Sequence, residues 1–521
     1  MNSRSSGRGT RRFDKQLLEA GQQCLKRLYL DYHAPTEVAP SDTRLAMSEA
    51  GRQLLLVARS AFPRGTEIAA EPIDRAAAQT AELLAGETTA VLFGAAFVAD
   101  GREVSTDIVV RQKTGELDIY EVKSGTKVKA RYVTDLALQA LTIERAGHKV
   151  RGMFVLHLDK TYKHAGGAEY PPAGLLKSAD VTERVRRQMP RTSEEIERFL
   201  LQLQDDSVLQ MPTGTFCTYP FPCPHLTDCA RKEPEFSLRH LPDLARPLED
   251  QLHEAGIDDL AQLDPARPGL TFRQRRTIQA VRQRELLIEP FVAEELAHIE
   301  LPLHFLAMSS VTEALPRFEH QRPWQSVPYA WAALTVHADG RVEQAAFVHA
   351  DKGDPRADFV RSLGKHLEAG GMILCWCSDL LASVRDLLES VPAEKPATRT
   401  VLARSHLDLR RLLESGLFHP GLTADRTLAT IAATLLGGAG DGDLVVRDDE
   451  GVFGLLQKAT APRTRAATRA KIAADIQAWL DWQTRTMLAV YQKLSARPLP
   501  EPQKAPRAPL GDGPRKQLPP T

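Results

Sequence analysis

The first third of the chain alternates short hydrophobic runs with amphipathic stretches, and this pattern predicts both strands and helices. Predicted strands lie at 90–97, 103–110, 117–123 and 151–157. Hydrophobic positions that repeat on one face predict helices at 13–28, 42–58 and 132–146. Because the last of these helices joins the last two strands, the pattern predicts a β-α-β crossover with parallel strands.

The rest of the chain continues the mixture of helices and strands. Thr192 and Glu195 form a capping-box signature, which predicts a helix from there to about residue 204. Helices separated by Gly256 follow over 248–286, and strands and helices alternate again from 301 to 494. The final 24 residues contain eight prolines, a composition that cannot build a core and predicts disorder. The sequence therefore predicts an α/β multidomain protein.

Composition narrows the functional class. The chain has 521 residues, of which 43% are hydrophobic and 26% charged, so it is long enough for several folded domains. The number of basic residues, 67, equals the number of acidic residues, 67. This balance excludes a surface that is basic overall, but it allows local basic patches. No apolar run is long enough to span a membrane, and the basic N-terminus lacks the apolar core of a secretory signal. We therefore expect a soluble, cytoplasmic protein with no membrane partner.

Two acidic residues face each other on a predicted hairpin. Residues 113–115 form its loop, and Gly115 takes the left-handed position that three-residue loops favour. In that register Asp107 lies directly opposite Glu121, and Lys123 shares the face of Glu121 because strand side chains alternate. Two carboxylates and a lysine suit Mg²⁺ or Mn²⁺ and phosphodiester hydrolysis, with the lysine positioning or activating a water. A solvated strand end is the alternative interpretation.

The same residues carry a resemblance to a known nuclease family. Asp107, then Glu121-Val-Lys123, then Gln139 on the following helix resemble the RecB-type branch of the PD-(D/E)xK nucleases. The resemblance implies a restriction-endonuclease-like core, metal-binding acids and a glutamine near the site, for which Gln139 is the match. The chain departs from the family at Gly94, where relatives often carry Glu, and after Gln139, where a Tyr is common.

Four cysteines form a separate pattern. Cys217, Cys223 and Cys229 have five residues between neighbours and lie among prolines that exclude a helix, whereas Cys24 lies near the N-terminus. One cysteine before the core and three after it resemble the arrangement of AddB-type and CRISPR-adaptation exonucleases. That resemblance implies a [4Fe-4S] cluster that staples the two ends of the domain. From the residues alone, four-thiolate Zn²⁺ and unliganded buried thiols stay open.

The segment 240–290 is predicted to be helical, and residues 252–263 resemble half of a helix-hairpin-helix. That motif contacts DNA phosphates through backbone amides. The next helix is rich in arginine and is either a nucleic-acid-binding face or an ordinary solvated face. Its candidate DNA-contacting residues are Arg273, Arg275, Arg276 and Arg282.

The last large segment resembles the RNase-H-like, DEDD-type 3′–5′ exonuclease domain of an otherwise uncharacterised bacterial family. The matching landmarks are Pro316-Arg-Phe318, Arg322-Pro-Trp324, Pro328, Asp354-Pro-Arg356 and Leu417-Phe-His-Pro420. The resemblance requires acids where this chain has Ala307 and Ser309, and Gln483 stands where another acid is expected. Asp408 survives, but one carboxylate cannot hold two divalent ions. We expect this fold to be kept and its activity to be lost.

These patterns predict a domain order. A flexible basic arm (1–12) precedes a PD-(D/E)xK nuclease domain with an iron–sulfur staple (13–235). A helical, helix-hairpin-helix-like linker (240–290) then leads to a degenerate RNase-H-like domain (298–495). A disordered tail (496–521) ends the chain. The leading hypothesis is a metal-dependent DNA nuclease acting as an exonuclease on single-stranded ends. The alternatives are a catalytically inactive nucleic-acid-binding scaffold and a structural zinc protein.

Overall fold

The computed structural model describes residues 11–35, 42–69, 72–86, 91–438, 440 and 442–495. Within them the chain forms a mixed α/β architecture with several sheets, which confirms the α/β multidomain class. The predicted disordered tail lies outside the described residues, as does the predicted basic arm except for Arg11 and Arg12. None of the helices among the described residues is long and apolar enough to cross a membrane.

The strands described in the N-terminal half form one sheet and a separate hairpin. They are β1 (Thr66–Glu67), β2 (Val91–Phe93), β3 (Ala96–Ala99), β4 (Arg102–Ser105), β5 (Ile108–Arg111), β6 (Leu117–Lys123), β7 (Val150–Leu158) and β8 (Leu176–Asp180). Six of them form one sheet in the order β1-β2-β5-β6-β7-β8, whereas β3 and β4 pair in a hairpin of their own. The predicted strands 90–97 and 103–110 are therefore each divided in two. The first division falls at Gly94, whose φ of +71° turns the chain out of the sheet.

Within the described residues, seven helices accompany this sheet. They are α1 (Lys15–Gln23), α2 (Leu25–His33), α3 (Asp42–Ser60), α4 (Ile73–Ala85), α5 (Ala130–Arg145), α6 (Pro172–Leu175) and α7 (Thr182–Gln202). The predicted crossover is confirmed, because α5 joins β6 to β7 and those two strands are parallel. The predicted helix 13–28 is two helices, since Cys24 between them has an extended backbone.

The capping-box prediction at Thr192 and Glu195 is wrong. Thr192 is fully buried inside α7, which begins ten residues earlier. The buried face of α7, which includes Val185, Ile196 and Phe199, continues through this position, so tertiary packing extends the helix past a motif that is read only locally.

A small helical segment follows. Its helices are α8 (Leu226–Ala230), α9 (Arg246–Glu254) and α10 (Phe272–Gln283). A hydrophobic cluster of its own, which includes Leu238, Leu252 and Ile278, holds it together. The start of α10 is fixed by Thr271, whose hydroxyl accepts the backbone N–H of Gln274 while the Gln274 side chain accepts the backbone N–H of Thr271.

The C-terminal half contains a second sheet and a separate pair of short strands. Its strands are β9 (Leu287–Ile288), β10 (Leu303–Thr312), β11 (Ser326–Val336), β12 (Val342–Val348), β13 (Met372–Cys375), β14 (His406–Asp408) and β15 (Leu417–Phe418). Five strands take the order β12-β11-β10-β13-β14, while β9 pairs with β15. The ladders β10–β11 and β11–β12 are antiparallel, whereas β10–β13 and β13–β14 are parallel.

In the part of this half that the structure describes, eight helices surround the second sheet. They are α11 (Pro290–Ala297), α12 (Arg356–His366), α13 (Asp379–Ser390), α14 (Lys395–Leu402), α15 (Leu409–Gly416), α16 (Leu428–Leu436), α17 (Asp449–Thr460) and α18 (Ala466–Ser495). Two hydrophobic clusters fill the space between helices and sheet, one of them extending along α18 and the other beneath α12 and α13.

The two halves share a hydrophobic contact. Leu54, Leu158 and Leu175 from the first half pack with Ala314 and Leu315 of the loop that follows β10. This contact brings the second half to the end of the first sheet.

Candidate functional site

The predicted hairpin forms in the predicted register. β5 pairs with β6 so that Ile108 faces Tyr120, and continuing this register by one residue sets Asp107 opposite Glu121. Gly115 in the loop has a φ of +86°, the left-handed conformation that the prediction assigned to it. The Asp107 carboxylate accepts the backbone N–H of Val122 at 2.7 Å, which ties it to the neighbouring strand.

The acids of the hairpin belong to a partly buried group of charges. Glu121 is 6% exposed and its Oε1 lies 2.5 Å from the Lys123 ammonium. Lys123 also pairs with Asp135 of α5 at 3.1 Å. Lys15, at the start of α1, lies 2.7 Å from Asp135 and 3.6 Å from Glu121. Three carboxylates and two ammonium groups therefore meet beneath α5.

Sequence reasoning did not assign Lys15 to this site. One feature of the sequence could have indicated Lys15. It lies in the first turn of a helix, where the helix dipole disfavours a cation, so a lysine there suggests nearby carboxylates. The carboxylates of Asp135 and Glu121 offset that cost. Asp135 lies one helical turn before Gln139 on α5, so its place on the same face follows from helix periodicity.

Gln139 lies where the resemblance implied a glutamine. Its Nε2 donates to Glu121 Oε2 at 2.9 Å, which leaves the side-chain oxygen pointing elsewhere. That oxygen, Gln139 Oε1, is buried and has no hydrogen-bond partner. A buried acceptor without a donor is costly, and a cation or a water is the kind of ligand that would satisfy it.

The charges at this site shift one another's protonation. Burial and then the charge of Glu121 raise the pKa of Asp107 to about 7. Burial alone would raise the pKa of Glu121, but Lys123 and Lys15 outweigh it and hold that pKa below its ordinary value. For Lys123, burial opposes the charged form, yet Glu121 and Asp135 dominate and raise its pKa. The two lysines do not fully compensate the three acids, and Asp107 carries the excess.

Both departures from the nuclease family have a structural counterpart. Gly94 has a φ of +71° and its N–H donates to the Asp107 carbonyl, so a glutamate at this position would be strained. The ring of Tyr132, at the start of α5, lies 5.2 Å from the Lys123 ammonium. An aromatic side chain thus contacts the lysine from a position before Gln139 rather than after it.

The second half of the chain reaches this site. Trp324 Nε1 donates to the backbone carbonyl of Ser124, the residue after Lys123, at 2.5 Å. Trp324 has a φ of +60°, and its ring belongs to the hydrophobic contact between the two halves. A tryptophan held in a strained conformation therefore fixes the end of β6.

The four predicted cluster cysteines come together. Cys24, Cys217, Cys223 and Cys229 all line one small cavity and form no disulfide. Cys223 donates its backbone N–H to the Cys217 carbonyl at 2.8 Å, and the side-chain amide of Gln23 donates to two carbonyls of the same loop. The break between α1 and α2 thus lies against the cysteine-rich loop.

The thiols influence one another. Burial, and to a smaller extent the charges of the other three thiols, raise the pKa of Cys217 to about 11, although the backbone N–H of Gly214 opposes this. Burial also raises the pKa of Cys24, although the backbone N–H groups of Lys26 and Arg27 oppose this. A bound metal would reverse the shift, because coordination stabilises thiolates.

The donor atoms of both groups fit the ions that the resemblances imply. Four thiols suit iron–sulfur or zinc, and buried carboxylates with an amide oxygen suit Mg²⁺ or Mn²⁺. Across the part of the chain that the structure describes, no three side chains of His, Cys, Asp or Glu are already arranged around a single point as in a formed metal site. Ligation would therefore draw side chains inwards.

The arginines of α10 are engaged within the protein. Arg273 pairs with Asp243 at 2.9 Å, and Arg276 pairs with Glu289 at 2.5 Å. Arg275 and Arg282 donate to the backbone carbonyls of Leu270 and Leu263. These contacts give each arginine a structural role, and their contact with DNA stays a prediction.

Three neutral residues stand where the exonuclease resemblance expects acids. Ala307 and Ser309 lie on β10 and are buried, and Gln483 lies buried on α18. Asp408 caps α15, since its carboxylate accepts the backbone N–H groups of Arg411 and Ser378. Asp408 is thus occupied by a structural role.

Comparison with known proteins adds one finding. Residues 304–425 match a domain of unknown function (DUF2779). No curated protein matches the chain. The match begins in β10 and covers less than a quarter of the chain, so it relates part of the second half to a family without assigning the whole protein to one.

Proposed function

We propose that the protein is a metal-dependent DNA nuclease that acts as an exonuclease on single-stranded ends. The observation that carries the proposal is the partly buried group of Asp107, Glu121 and Lys123 beside the buried Gln139, whose amide oxygen has no partner. Residues with a purely structural role do not need a buried hydrogen-bond acceptor without a partner next to an excess of negative charge. Perturbed, buried carboxylates of this kind are typical of functional sites.

Each residue has a role in the proposed reaction. Asp107 and Glu121 would hold Mg²⁺ or Mn²⁺, and Gln139 would orient Glu121 through its amide N–H. Bound to these acids, such an ion polarises a phosphodiester and lowers the pKa of a water. Lys123, held by Glu121 and Asp135, would position the water or the phosphate. Lys15 would balance charge from the opposite side.

We propose that the four cysteines hold a [4Fe-4S] cluster, with Zn²⁺ as the alternative occupant. Support comes from the common cavity that they line and from the distant segments that they connect. Holding α1 against the loop before α8 would also hold Lys15 near Glu121, because both lysine and cysteine belong to the same short helical segment. The metal centre would thus support the nuclease site mechanically.

The second half would be a degenerate RNase-H-like domain that binds rather than cleaves. In the five-stranded sheet, β10, β11 and β12 are antiparallel neighbours, whereas β13 and β14 run parallel to β10. This arrangement is consistent with that fold. Neutral residues at the expected acid positions, Ala307, Ser309 and Gln483, argue against a second metal-dependent activity.

A nuclease assay tests the proposal. Full-length protein purified without oxygen is incubated with Mg²⁺ or Mn²⁺ and end-labelled single- or double-stranded DNA. We expect release of nucleotides from single-stranded ends, and loss of that activity in Glu121→Gln and Lys123→Ala. Glu116→Gln and Lys113→Ala, in the same hairpin, are matched controls and should cleave normally. Equal cleavage by all five proteins would place the active site elsewhere.

An inactive nucleic-acid-binding scaffold is the second candidate. One observation favours it, namely that Lys15 and Lys123 both already pair with Glu121, one of the two carboxylates that a metal ion would bind. An internal cation in this place would make the metal unnecessary for folding. In that case wild-type protein would bind single-stranded DNA but leave it intact with either metal.

A further inference from the structure

The cysteine-rich loop carries two exposed aromatic side chains. Tyr219 is 78% exposed and Phe221 is 48% exposed, and both lie between Cys217 and Cys223. Gln23 of α1 holds this stretch in place, because its side-chain amide donates to the backbone carbonyl of Phe221 at 2.7 Å. Exposed aromatic rings on a loop that is held in place are typical of a surface that binds a partner.

Phe221 lies at the end of a line of contacts that reaches the candidate site. The guanidinium carbon of Arg131 lies 5.3 Å from the ring centre of Phe221 and 5.3 Å from that of Tyr132. The ring centre of Tyr132 in turn lies 5.2 Å from the ammonium of Lys123. Through these contacts the cysteine-rich loop adjoins the lysine that would position the water or the phosphate in the proposed reaction.

The loop from β6 to α5, which follows the candidate site, is basic. Residues 124–134 include three cations, Lys127, Lys129 and Arg131, and no acidic residue. All three cations are exposed, and none of them forms an ion pair with a carboxylate of the described residues. The arginines of α10 are engaged within the protein, whereas these three cations remain available to the phosphates of a nucleic acid.

The cysteine-rich loop also borders a groove of about 820 Å³. Its lining includes Phe216, Tyr219, Arg198 and Arg246 but, among the described residues, no acidic side chain. The guanidinium carbon of Arg246 lies 4.2 Å from the ring centre of Phe216. Both arginines pair with a carboxylate of their own helix, so the groove adds aromatic surface next to the loop rather than free charge.

Three cations and one ring make up what we call the stacking surface: Lys127, Lys129, Arg131 and Phe221. We propose that the stacking surface holds the single strand of DNA that the candidate site cleaves. Phosphates of the strand contact the three cations, and a base stacks on the ring of Phe221. The faces of the bases are free in a single strand and covered in a duplex, so the surface selects single-stranded DNA. This inference rests on the proposed nuclease function and names the residues that choose its substrate.

Fluorescence anisotropy of a labelled thymidylate strand with the full-length protein tests the role of the ring. The protein is purified without oxygen and no divalent metal is added, so binding is measured without cleavage. Phe221→Ala should weaken binding by roughly 5- to 100-fold, the value of one base stacked on an aromatic ring, whereas Phe221→Trp should bind as wild type does. On a strand of the same length without bases, wild type and Phe221→Ala should bind equally. Leu56→Ala, at another exposed apolar position of the same half, is the matched control and should not weaken binding.

The salt dependence of the affinity tests the role of the cations. Arg131→Gln and Lys129→Gln should each make the slope of log affinity against log salt concentration shallower by about 0.7, the value of one phosphate contact with a single strand. Phe221→Ala should leave that slope unchanged, because it removes no charge. Lys113→Gln is the matched control and should keep the slope of the wild type, because Lys113 lies in the loop before β6, at the opposite end of that strand from Lys123.

Failure of this inference and failure of the proposed cleavage give different results. If the strand binds as described but wild type leaves it intact in the nuclease assay, the cleavage proposal fails and the stacking surface stands. The inference is overturned, even where the protein cleaves single-stranded ends, if wild type does not bind the strand or if Phe221→Ala binds it as tightly as wild type. It is also overturned if Phe221→Trp binds as weakly as Phe221→Ala.

Discussion

Replacing Asp107 with asparagine should stabilise the metal-free protein at alkaline pH. Burial and the neighbouring charge of Glu121 raise the pKa of Asp107 from 3.8 to about 7. Each pKa unit corresponds to about 1.4 kcal/mol, so ionised Asp107 costs the folded state up to about 4 kcal/mol at pH 8. Asparagine has nearly the same shape, and its carbonyl oxygen can still accept the backbone N–H of Val122.

The sign of the pH dependence follows from the raised pKa. The folded state binds the proton more tightly than the unfolded state, so the stability linked to Asp107 is complete below about pH 4 and is lost as the pH rises through about 7. The advantage of Asp107→Asn over wild type should therefore fall to less than half between pH 8 and pH 5. Mg²⁺ should stabilise the wild type at pH 8 and have little effect on the variant.

Thermal unfolding in EDTA at pH 5 and pH 8 measures this effect. A change of 1 kcal/mol shifts the midpoint by about 2–4 °C for a domain of this size. Glu116→Gln is the control, because a hydrogen bond from Lys149 lowers the pKa of Glu116 and its removal should not stabilise the protein. The reasoning is refuted if Asp107→Asn is no more stable than wild type at pH 8, or if its unfolding temperature rises equally at both pH values. In either case the ionised carboxylate of Asp107 does not destabilise the folded state.

Three further predictions concern other parts of the chain. Cys24→Ser should remove the metal centre, seen as loss of visible absorbance and iron (or of one zinc), whereas Cys377→Ser, outside the group, should keep it. Trp324→Phe should keep the fold but leave the Ser124 carbonyl unpaired, so hydrogen exchange at the end of β6 should speed up and cleavage slow by roughly 10-fold. An unchanged rate of hydrogen exchange at the end of β6 would show that Trp324 does not support the site. Asp408→Ala should lower the unfolding free energy by about 1 kcal/mol, as loss of a helix cap does, without changing cleavage by the full-length protein.

The parts of the fold that were predicted correctly depend on short stretches of chain. The hairpin register follows from the loop that contains Gly115, and the crossover follows from two strands and one helix in succession. These features are set by backbone geometry within about forty residues, which a sequence pattern records. Asp107 and Glu121 therefore take the facing positions that the pattern predicted.

Contacts between distant segments could not be predicted. Lys15 reaches the site from the first helix, and Trp324 reaches it from the other half of the chain. Nothing near either residue in the sequence records its partner. The error at Thr192 has the same origin, because packing of α7 into the hydrophobic core, and not the local capping motif, decides the extent of that helix.

Diffraction from crystals of the full-length protein grown with Mn²⁺ shows whether Asp107 and Glu121 bind a divalent metal ion. Manganese scatters anomalously, so its position can be found independently of the surrounding protein. We expect an anomalous peak bound by the carboxylates of Asp107 and Glu121, with Lys123 displaced from Glu121 by the ion, and no peak in crystals of Asp107→Asn. Wild-type crystals in which Lys15 and Lys123 keep their present ion pairs, with no peak between the two carboxylates, would contradict this expectation.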